Sequence, residues 1–294
     1  MVKESSNQFK KYIEKKVRET IRKYSLFTKK DKIAVAVSGG KDSTVCLYLL
    51  KKLGYDVEGI TIDAVIGNYT KKNLENLKKV CKDLDIKLHV ISFREEFGMS
   101  LCYIKSLLKG KGYDYSSCMI CGVLKRYLLN KYSRKLKFDC LATGHNLDDE
   151  AQAFLMNVLR NDFKLAQRQG AMPGVAISKK FTKRVKPLYL IKEEEVERFS
   201  KLMKFPVNYG ICPCSIDAYR RQYINFLNAF EKKHPSVKYN IIKFHETMKN
   251  NLKKQKNLKV SNCKVCKEPS SKELCKTCTI FKILATAKKE CKTC

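Results

Sequence analysis

Residues 33–43 constrain this chain more tightly than any other segment. Ile33-Ala34-Val35-Ala36-Val37 runs directly into Ser38-Gly39-Gly40-Lys41-Asp42-Ser43. A short, unbroken apolar run of this kind suits a strand covered on both faces, the usual state of a parallel sheet. The glycines permit backbone conformations and close approaches denied to other residues, and a helix beginning just beyond them points its unpaired N–H groups at whatever lies over the turn. Ser38 and Ser43 add hydroxyl donors and Lys41 a positive charge, so pyrophosphate is the expected ligand. The spacing is not that of a Walker A loop. The bland alternative is a glycine-rich turn that binds nothing.

The rest of the chain supports a strand–helix alternation around that loop. Phe9, Tyr12, Ile13, Val17 and Ile21 recur mostly at spacings of three and four, predicting a helix over 6–24. Strands are expected at 33–37, 57–63, 87–93 and 138–143, with helices at 42–53, 72–84 and after Gly122. Short links between them predict an α/β fold with a parallel sheet, whose ligands gather beyond the strand C-termini, where Ser38, Asp63 and Gly144 fall. From about residue 192 to 256 the pattern turns helical.

Charge and cysteines narrow the partners. Lys and Arg number 61 against 29 Asp and Glu, a formal charge of +32. Such an excess attracts polyanions, although a merely Lys-rich surface would look the same. No apolar stretch is long enough to span a bilayer and the N-terminus lacks the apolar centre of a signal peptide, so a soluble, cytoplasmic protein with no membrane partner is expected. In that setting, 14 cysteines argue for metal ligation over disulfides. Cys263-x2-Cys266-x8-Cys275-x2-Cys278 has the spacing of a closed zinc site, and its short, polar surroundings would need the metal to fold. Cys118 and Cys121 form another C-x2-C pair, and Cys291 and Cys294 a spare one at the end of the chain. Cys46, Cys81, Cys102 and Cys140 stand alone and are expected in the core. From Val237 onward there are 15 Lys and 4 Glu, with no Arg or Asp.

Val37-Ser38-Gly39-Gly40-Lys41-Asp42-Ser43 resembles the PP-loop of the N-type ATP pyrophosphatases. Three further segments sharpen the likeness: Cys118-x2-Cys121-Gly122-x2-Lys125, then Gly144-His145-Asn146-Leu147-Asp148-Asp149, and Cys212-Pro213-Cys214-Ser215. With the four-cysteine set, they resemble the tRNA 2-thiouridine synthetases of the TtuA/NcsA group over about residues 31–284. The resemblance implies a parallel sheet of the PP-loop (adenine nucleotide hydrolase-like) type over 31–191. A helical extension at 1–30 would precede it, and a helical region at 192–260 would carry the third cluster cysteine. A zinc ribbon with its tail would fill 261–294. Family members often carry an N-terminal ribbon as well, for which this chain has no cysteines.

The same resemblance assigns a 4Fe-4S cluster to Cys118, Cys121 and Cys212. Three thiolates leave one iron without a protein ligand, free to take sulfide. A zinc site or a redox dithiol at Cys118/Cys121 is the alternative, and Cys214 competes with Cys212 as third ligand or acts as a persulfide carrier. ATP contacts are implied at Ala36, Val37, Ser38, Gly39, Gly40, Ser43, Asp63, Lys125, Gly144 and Asp149. Lys41, Asp42, Lys125 and Asp149 are the expected catalytic groups: the lysines neutralise phosphoryl charge and Asp149 holds Mg²⁺ or orients the base. Either Asp148 or Asp149 is expected to cap a helix instead, and His145 to satisfy a turn. The implied reaction adenylates a uridine O2 with release of pyrophosphate; sulfur then displaces AMP to give 2-thiouridine. The implied partners are tRNA, met by the ribbon and by Arg220, Arg221 and Tyr223, and a sulfur donor (sulfide, a persulfide or a ubiquitin-like thiocarboxylate), with a homodimer also implied. The competing readings are a tRNA 2-thiocytidine synthetase and a non-catalytic iron–sulfur or zinc RNA-binding protein.

Overall fold

The computed structural model describes residues 5–174, 180–215, 219–251 and 260–286. Cys291, Cys294 and the end of the helical stretch expected up to 256 lie outside the described residues. Ser5 opens α1 (Ser6–Lys23) with a capping box to Gln8, and the apolar stripe Phe9, Ile13, Val17, Ile21 is buried. Strand β1 (Lys32–Ala36) then leads through the glycine loop into α2 (Lys41–Lys52). There follow β2 (Asp56–Asp63), α3 (Gly67–Asp83), β3 (Leu88–Ser92), the short α4 (Phe93–Phe97), α5 (Leu101–Gly110) and α6 (Ser117–Lys135). Next come β4 (Cys140–Thr143), α7 (Leu147–Leu159), α8 (Phe163–Gln167), β5 (Lys183–Val185) and α9 (Glu193–Leu202). A 3-10 turn (Pro213–Ser215) precedes α10 (Arg220–Lys233) and α11 (Val237–Asn251), and the chain closes on β6 (Ser261–Asn262), β7 (Pro269–Ser270) and α12 (Lys276–Ala285).

The five long-range strands are all parallel, in the order β3-β2-β1-β4-β5. Ala36 lies opposite Ile60 on β2 and Thr143 on β4, so the ends of β1 and β4 are level. The chain leaves β1 toward β2 and later returns to its other side as β4. That reversal opens a crevice beyond the strand ends, the usual ligand position of such sheets. The sheet has apolar cover on both sides, as the unbroken run 33–37 requires. Ile33, Val35 and Val37 pack with α1, α2, α7 and α9, while Ala34 faces a second layer with Ile60, Ile62, Ile91 and residues of α5 and α6. Each large aliphatic side chain so buried contributes about 1.5–3 kcal/mol.

Helix α3 begins five residues before its expected start, behind Ile66, which supplies no side-chain cap and hence no signal. Helix α6 begins at Ser117 rather than after Gly122, so Cys118 and Cys121 ride on its first turns, behind the cap of Ser116. Strand β5 is too short and too basic to show a pattern and exists by pairing with β4. Cys46, Cys81 and Cys140 are buried as expected, but Cys102 is exposed. The reason is geometric: on α5 its neighbours Leu101, Ile104 and Leu108 point into the core, and position 102 turns outward. The C-terminal segment also departs from expectation, for it does not rest on a metal alone. Ile280 joins the core layer of α5 and α6, Phe281 stacks on Phe97 at 4.9 Å, and Arg134 donates to Glu268 at 2.9 Å.

Candidate active site and metal centres

Two glycines allow two backbones to touch at the end of β1. Gly39 has φ +79°, and a Cβ there would lie 2.5 Å from the carbonyl oxygen of Asn73 on α3. A Cβ on Gly144, just past β4, would lie 2.7 Å from the carbonyl carbon of Asp42 and the nitrogen of Ser43. Ser43 Oγ accepts from the Ser38 N–H at 3.1 Å and donates to the Gly40 carbonyl at 3.1 Å, so this hydroxyl shapes the loop; Ser38 Oγ lies 3.3 Å from it. Gly40 is the N-cap of α2 and brings no capping side chain. The first turn of α2 therefore presents its N–H groups to the crevice, as an anion site requires. Ala36 and Val37 form the floor leading into this loop. Asp63 ends β2 and accepts the Val65 N–H at 2.7 Å, which leaves its second oxygen for a ligand.

A network of charges surrounds the loop. Lys41 Nζ donates to Asp42 at 3.1 Å and to Glu193 of α9 at 2.9 Å. Burial opposes its charge, but these two carboxylates raise its pKa and keep it cationic. Burial raises the pKa of Asp42; Lys41 opposes that shift and the charge of Asp149 adds to it. Asn146 joins the two acids. Its side-chain amide donates to Asp42 at 3.0 Å, while it forms a capping box with Asp149 at 3.0 and 3.2 Å. The capping role expected for one of the two aspartates thus belongs to Asp149, which also accepts from Arg220 at 3.2 Å. Asp148 is buried instead, accepting the Glu193 N–H at 2.8 Å and pairing with Lys238. His145 Nδ1 lies 2.9 Å from Thr143 Oγ1, as a turn residue would. His145 is exposed at the surface, yet desolvation by the protein around it, and then the charge of Lys186, push its pKa down to about 4.

The cysteines sort into two sites. In the ribbon, Cys263, Cys266, Cys275 and Cys278 gather with their thiols all within 4.8 Å of one another. Cys266 and Cys275 are 3.7 Å apart, close to the ~3.8 Å that a tetrahedral zinc with 2.3 Å bonds imposes. Burial works against the thiolate of Cys263, but backbone N–H groups of Cys275, Cys266 and Val265 hold its pKa down at about 6. These four residues fit zinc. At the other site, Cys212 acts electrostatically on both Cys118 and Cys121. Three cysteine thiols are the donor type that iron–sulfur clusters take. Burial raises both pKa values; Lys125, one turn along α6 from Cys121, opposes the shift there. The Cys214 carbonyl accepts from Cys118 Sγ at 3.6 Å, and burial pushes the pKa of the Cys214 thiol up to about 11.

One side chain links the neighbourhood of the nucleotide loop to the α6 cysteines. Arg220 pairs with Asp149 and its charge also acts on Cys118. On α3, Asn73 packs against Gly39, and Tyr69 one turn earlier has its pKa raised by burial first and also by the charge of Cys212. Glu193, Asn146 and Tyr69 were not singled out by sequence reasoning. The Asn146-x2-Asp149 spacing was a readable capping signal for one of them; the other two had none. Tyr223, expected on an exposed RNA-binding face, is buried and bonded to Tyr219.

Residues 5–208 match the PP-loop domain family. A tRNA-5-methyluridine(54) 2-sulfurtransferase of Pyrococcus horikoshii is 37% identical over 274 residues, covering 93% of this chain and 86% of that protein. The cytoplasmic tRNA 2-thiolation protein 1 of Aspergillus niger is 32% identical over 275 residues, covering 91% and 79%. Among solved structures, the U34-tRNA thiolase NcsA of Methanococcus maripaludis, with its 4Fe-4S cluster, matches with a TM-score of 0.81 at 30% identity, over 96% of this chain and 90% of that one.

Proposed function

The chain belongs to the PP-loop domain family, and within it to the tRNA 2-sulfurtransferases; from that premise we propose that it activates a tRNA uridine with ATP and replaces the C2 oxygen by sulfur. The relatives act on uridines at two tRNA positions, so the chemistry they share is thiolation. The observation that carries the reading is Arg220, which pairs with Asp149 beside the nucleotide loop while its charge acts on Cys118. Activation and sulfur insertion thus fall within the reach of one side chain.

Ser38, Gly39, Gly40 and the first turn of α2 receive the β- and γ-phosphates, and Gly144 closes the loop against them. Ala36, Val37 and Asp63 border the nucleoside. Asp42 and Asp149, tied together through Asn146, would hold Mg²⁺ with the phosphate oxygens. Lys41 and Lys125 offset charge that grows on the phosphoryl group as uridine O2 attacks the α-phosphorus and pyrophosphate leaves. The adenylated C2 is then open to sulfur, and AMP departs with the original oxygen. Cys118, Cys121 and Cys212 would hold the cluster, which when bound supplies an iron free of protein ligands for sulfur. Cys263, Cys266, Cys275 and Cys278 would hold zinc structurally. The surplus of positive charge attracts tRNA. No helix among the described residues is long and apolar enough to cross a membrane, and a cytoplasmic location accords with the fungal relative.

Anaerobic reconstitution with iron and sulfide, followed by incubation with unmodified tRNA and ATP, tests the proposal. AMP, pyrophosphate and 2-thiouridine are expected, the last by mass spectrometry of digested tRNA. Absence of tRNA-dependent pyrophosphate release would overturn it.

A further inference from the structure

Tyr223 of α10 is buried, yet other rings of the same helix are open to solvent. The helix starts at Arg220, which meets Asp149 at 3.2 Å. Tyr219, Phe226 and Phe230 follow one another at spacings of seven and four, which brings them to one side of an α-helix. They are 43%, 57% and 42% exposed, while Tyr223 and Leu227 turn inward. Phe226 and Phe230 stack with centroids 6.0 Å apart and planes 21° from parallel, and His234 lies 4.5 Å from Phe230. The Arg160 guanidinium, just past α7, covers the Tyr219 ring at 4.0 Å. Arg221, Lys232 and Lys233 add positive charge, and the one acid of the helix, Glu231, is taken up by Lys192 at 2.9 Å and Lys238 at 2.6 Å. Single exposed apolar side chains are ordinary, but a stacked row of them on one face marks a contact surface. A second copy of the chain would bring a like-charged face against this one and be repelled, whereas a polyanion is attracted.

We propose that Tyr219, Phe226 and Phe230 form a stacking row for the unpaired tRNA nucleotides that flank the target uridine. The proposal rests on the thiolase reading and says how its substrate is held. A uridine whose O2 is to attack ATP has to leave its base stack, which is least costly in an unpaired stretch. The opened neighbours lose stacking energy that aromatic rings can restore, whatever their sequence. Arg220 puts the start of α10 beside the nucleotide site, and from there to Phe230 the helix rises about 15 Å, the reach of a few nucleotides. Arg221, Lys232 and Lys233 flank that path with charges for the phosphates.

Cluster-loaded wild type and a Phe226→Ala/Phe230→Ala double variant are titrated with unmodified tRNA, a single-stranded oligouridine and a fully paired RNA duplex at several salt concentrations. The double variant is expected to bind tRNA and oligouridine about tenfold or more weakly, and the duplex as wild type does. Its slope of log affinity against log salt should stay at the wild-type value, because no charge is removed. Phe226→Tyr/Phe230→Tyr, which keeps both rings, should bind like wild type. In thiolation the alanine variant should show a raised KM for tRNA with kcat unaltered. Wild-type affinity for tRNA and oligouridine in the alanine variant overturns the stacking row, and so does an equal loss on the duplex. A wild-type dimer that this variant splits in sedimentation, with RNA affinity intact, gives the face to a second copy and likewise overturns it. If wild type binds RNA through these rings yet releases no pyrophosphate with tRNA, the thiolase reading fails and the row stands.

Discussion

Helices α6 and α12 both begin on a C-x2-C pair, Cys118/Cys121 behind the Ser116 cap and Cys275/Cys278 with Cys275 itself as cap. In both places burial works against the thiolate and raises the pKa of the helix-start thiols. The ribbon completes its pair locally, with Cys263 and Cys266 from the turn before it. The result is a closed set of four thiols within 4.8 Å, braced by backbone N–H groups such as that of Cys275 onto Cys263 at 3.3 Å. The other pair has no such local partner: the thiol acting on both its members, Cys212, comes from far along the chain, and the charges of Lys125 and Arg220 act on Cys121 and Cys118. A saturated thiolate site has no position left for a reactant, whereas a three-thiol site has one. The same C-x2-C spacing therefore sits in a closed set of four thiols or in a more open surrounding according to what the fold brings beside it.

The separation can be broken by single substitutions. Cys118→Ser is expected to abolish 2-thiouridine formation and iron retention while zinc stays at its wild-type level, read by nucleoside mass spectrometry and metal analysis; simultaneous loss of zinc would mean that the sites are not independent. Gly39→Ala forces a Cβ to 2.5 Å from the Asn73 carbonyl at φ +79°. Misplacing the loop by that amount should slow tRNA-dependent pyrophosphate release on the order of 100-fold, with iron and zinc both unchanged. For the ribbon, Ile280→Ala removes a buried contact with α5 and α6 and should cost about 2–4 kcal/mol in denaturant unfolding, a loss that a metal-only ribbon would not show.

The smallest effect concerns pH and the open cleft. The pKa of His145 is held down at about 4 by burial and the nearby charge of Lys186, against 6.5 for a free imidazole. Between those values the unfolded chain binds a proton that the folded one refuses, so stability falls as pH drops from about 6.5 to about 4. His145→Gln should flatten that part of the stability profile and leave pH 7 and above unaltered. An unchanged slope between pH 7 and pH 5 in denaturant titrations would remove His145 from the account.

Much of the nucleotide loop was legible because its parts are contiguous. Residues 38–43 carry their own glycines, hydroxyls and helix start, and the four ribbon cysteines follow one another at ligand spacing. What could not be read were the groups that other elements deliver. The charge of Lys41 was legible, but its partner Glu193 is delivered by α9 at 2.9 Å. Asp148 and Asp149 are neighbours with opposite fates, because a helix turns adjacent side chains about 100° apart. One meets Lys238 in the interior, and the other caps its helix and faces Arg220 at the cleft. Cys102 was expected in the core from its apolar neighbours, but the same rotation turns it outward to solvent.

The sequence by itself therefore determined the pyrophosphate loop, the parallel α/β sheet and the zinc-type cysteine spacing, since each is written in residues that interact across a few positions. Tertiary structure alone decided that Arg220 meets Asp149, that Glu193 meets Lys41 and that Lys238 meets Asp148 in the interior. Those contacts join residues far apart along the chain, and only the packing of helices on the sheet sets their distance.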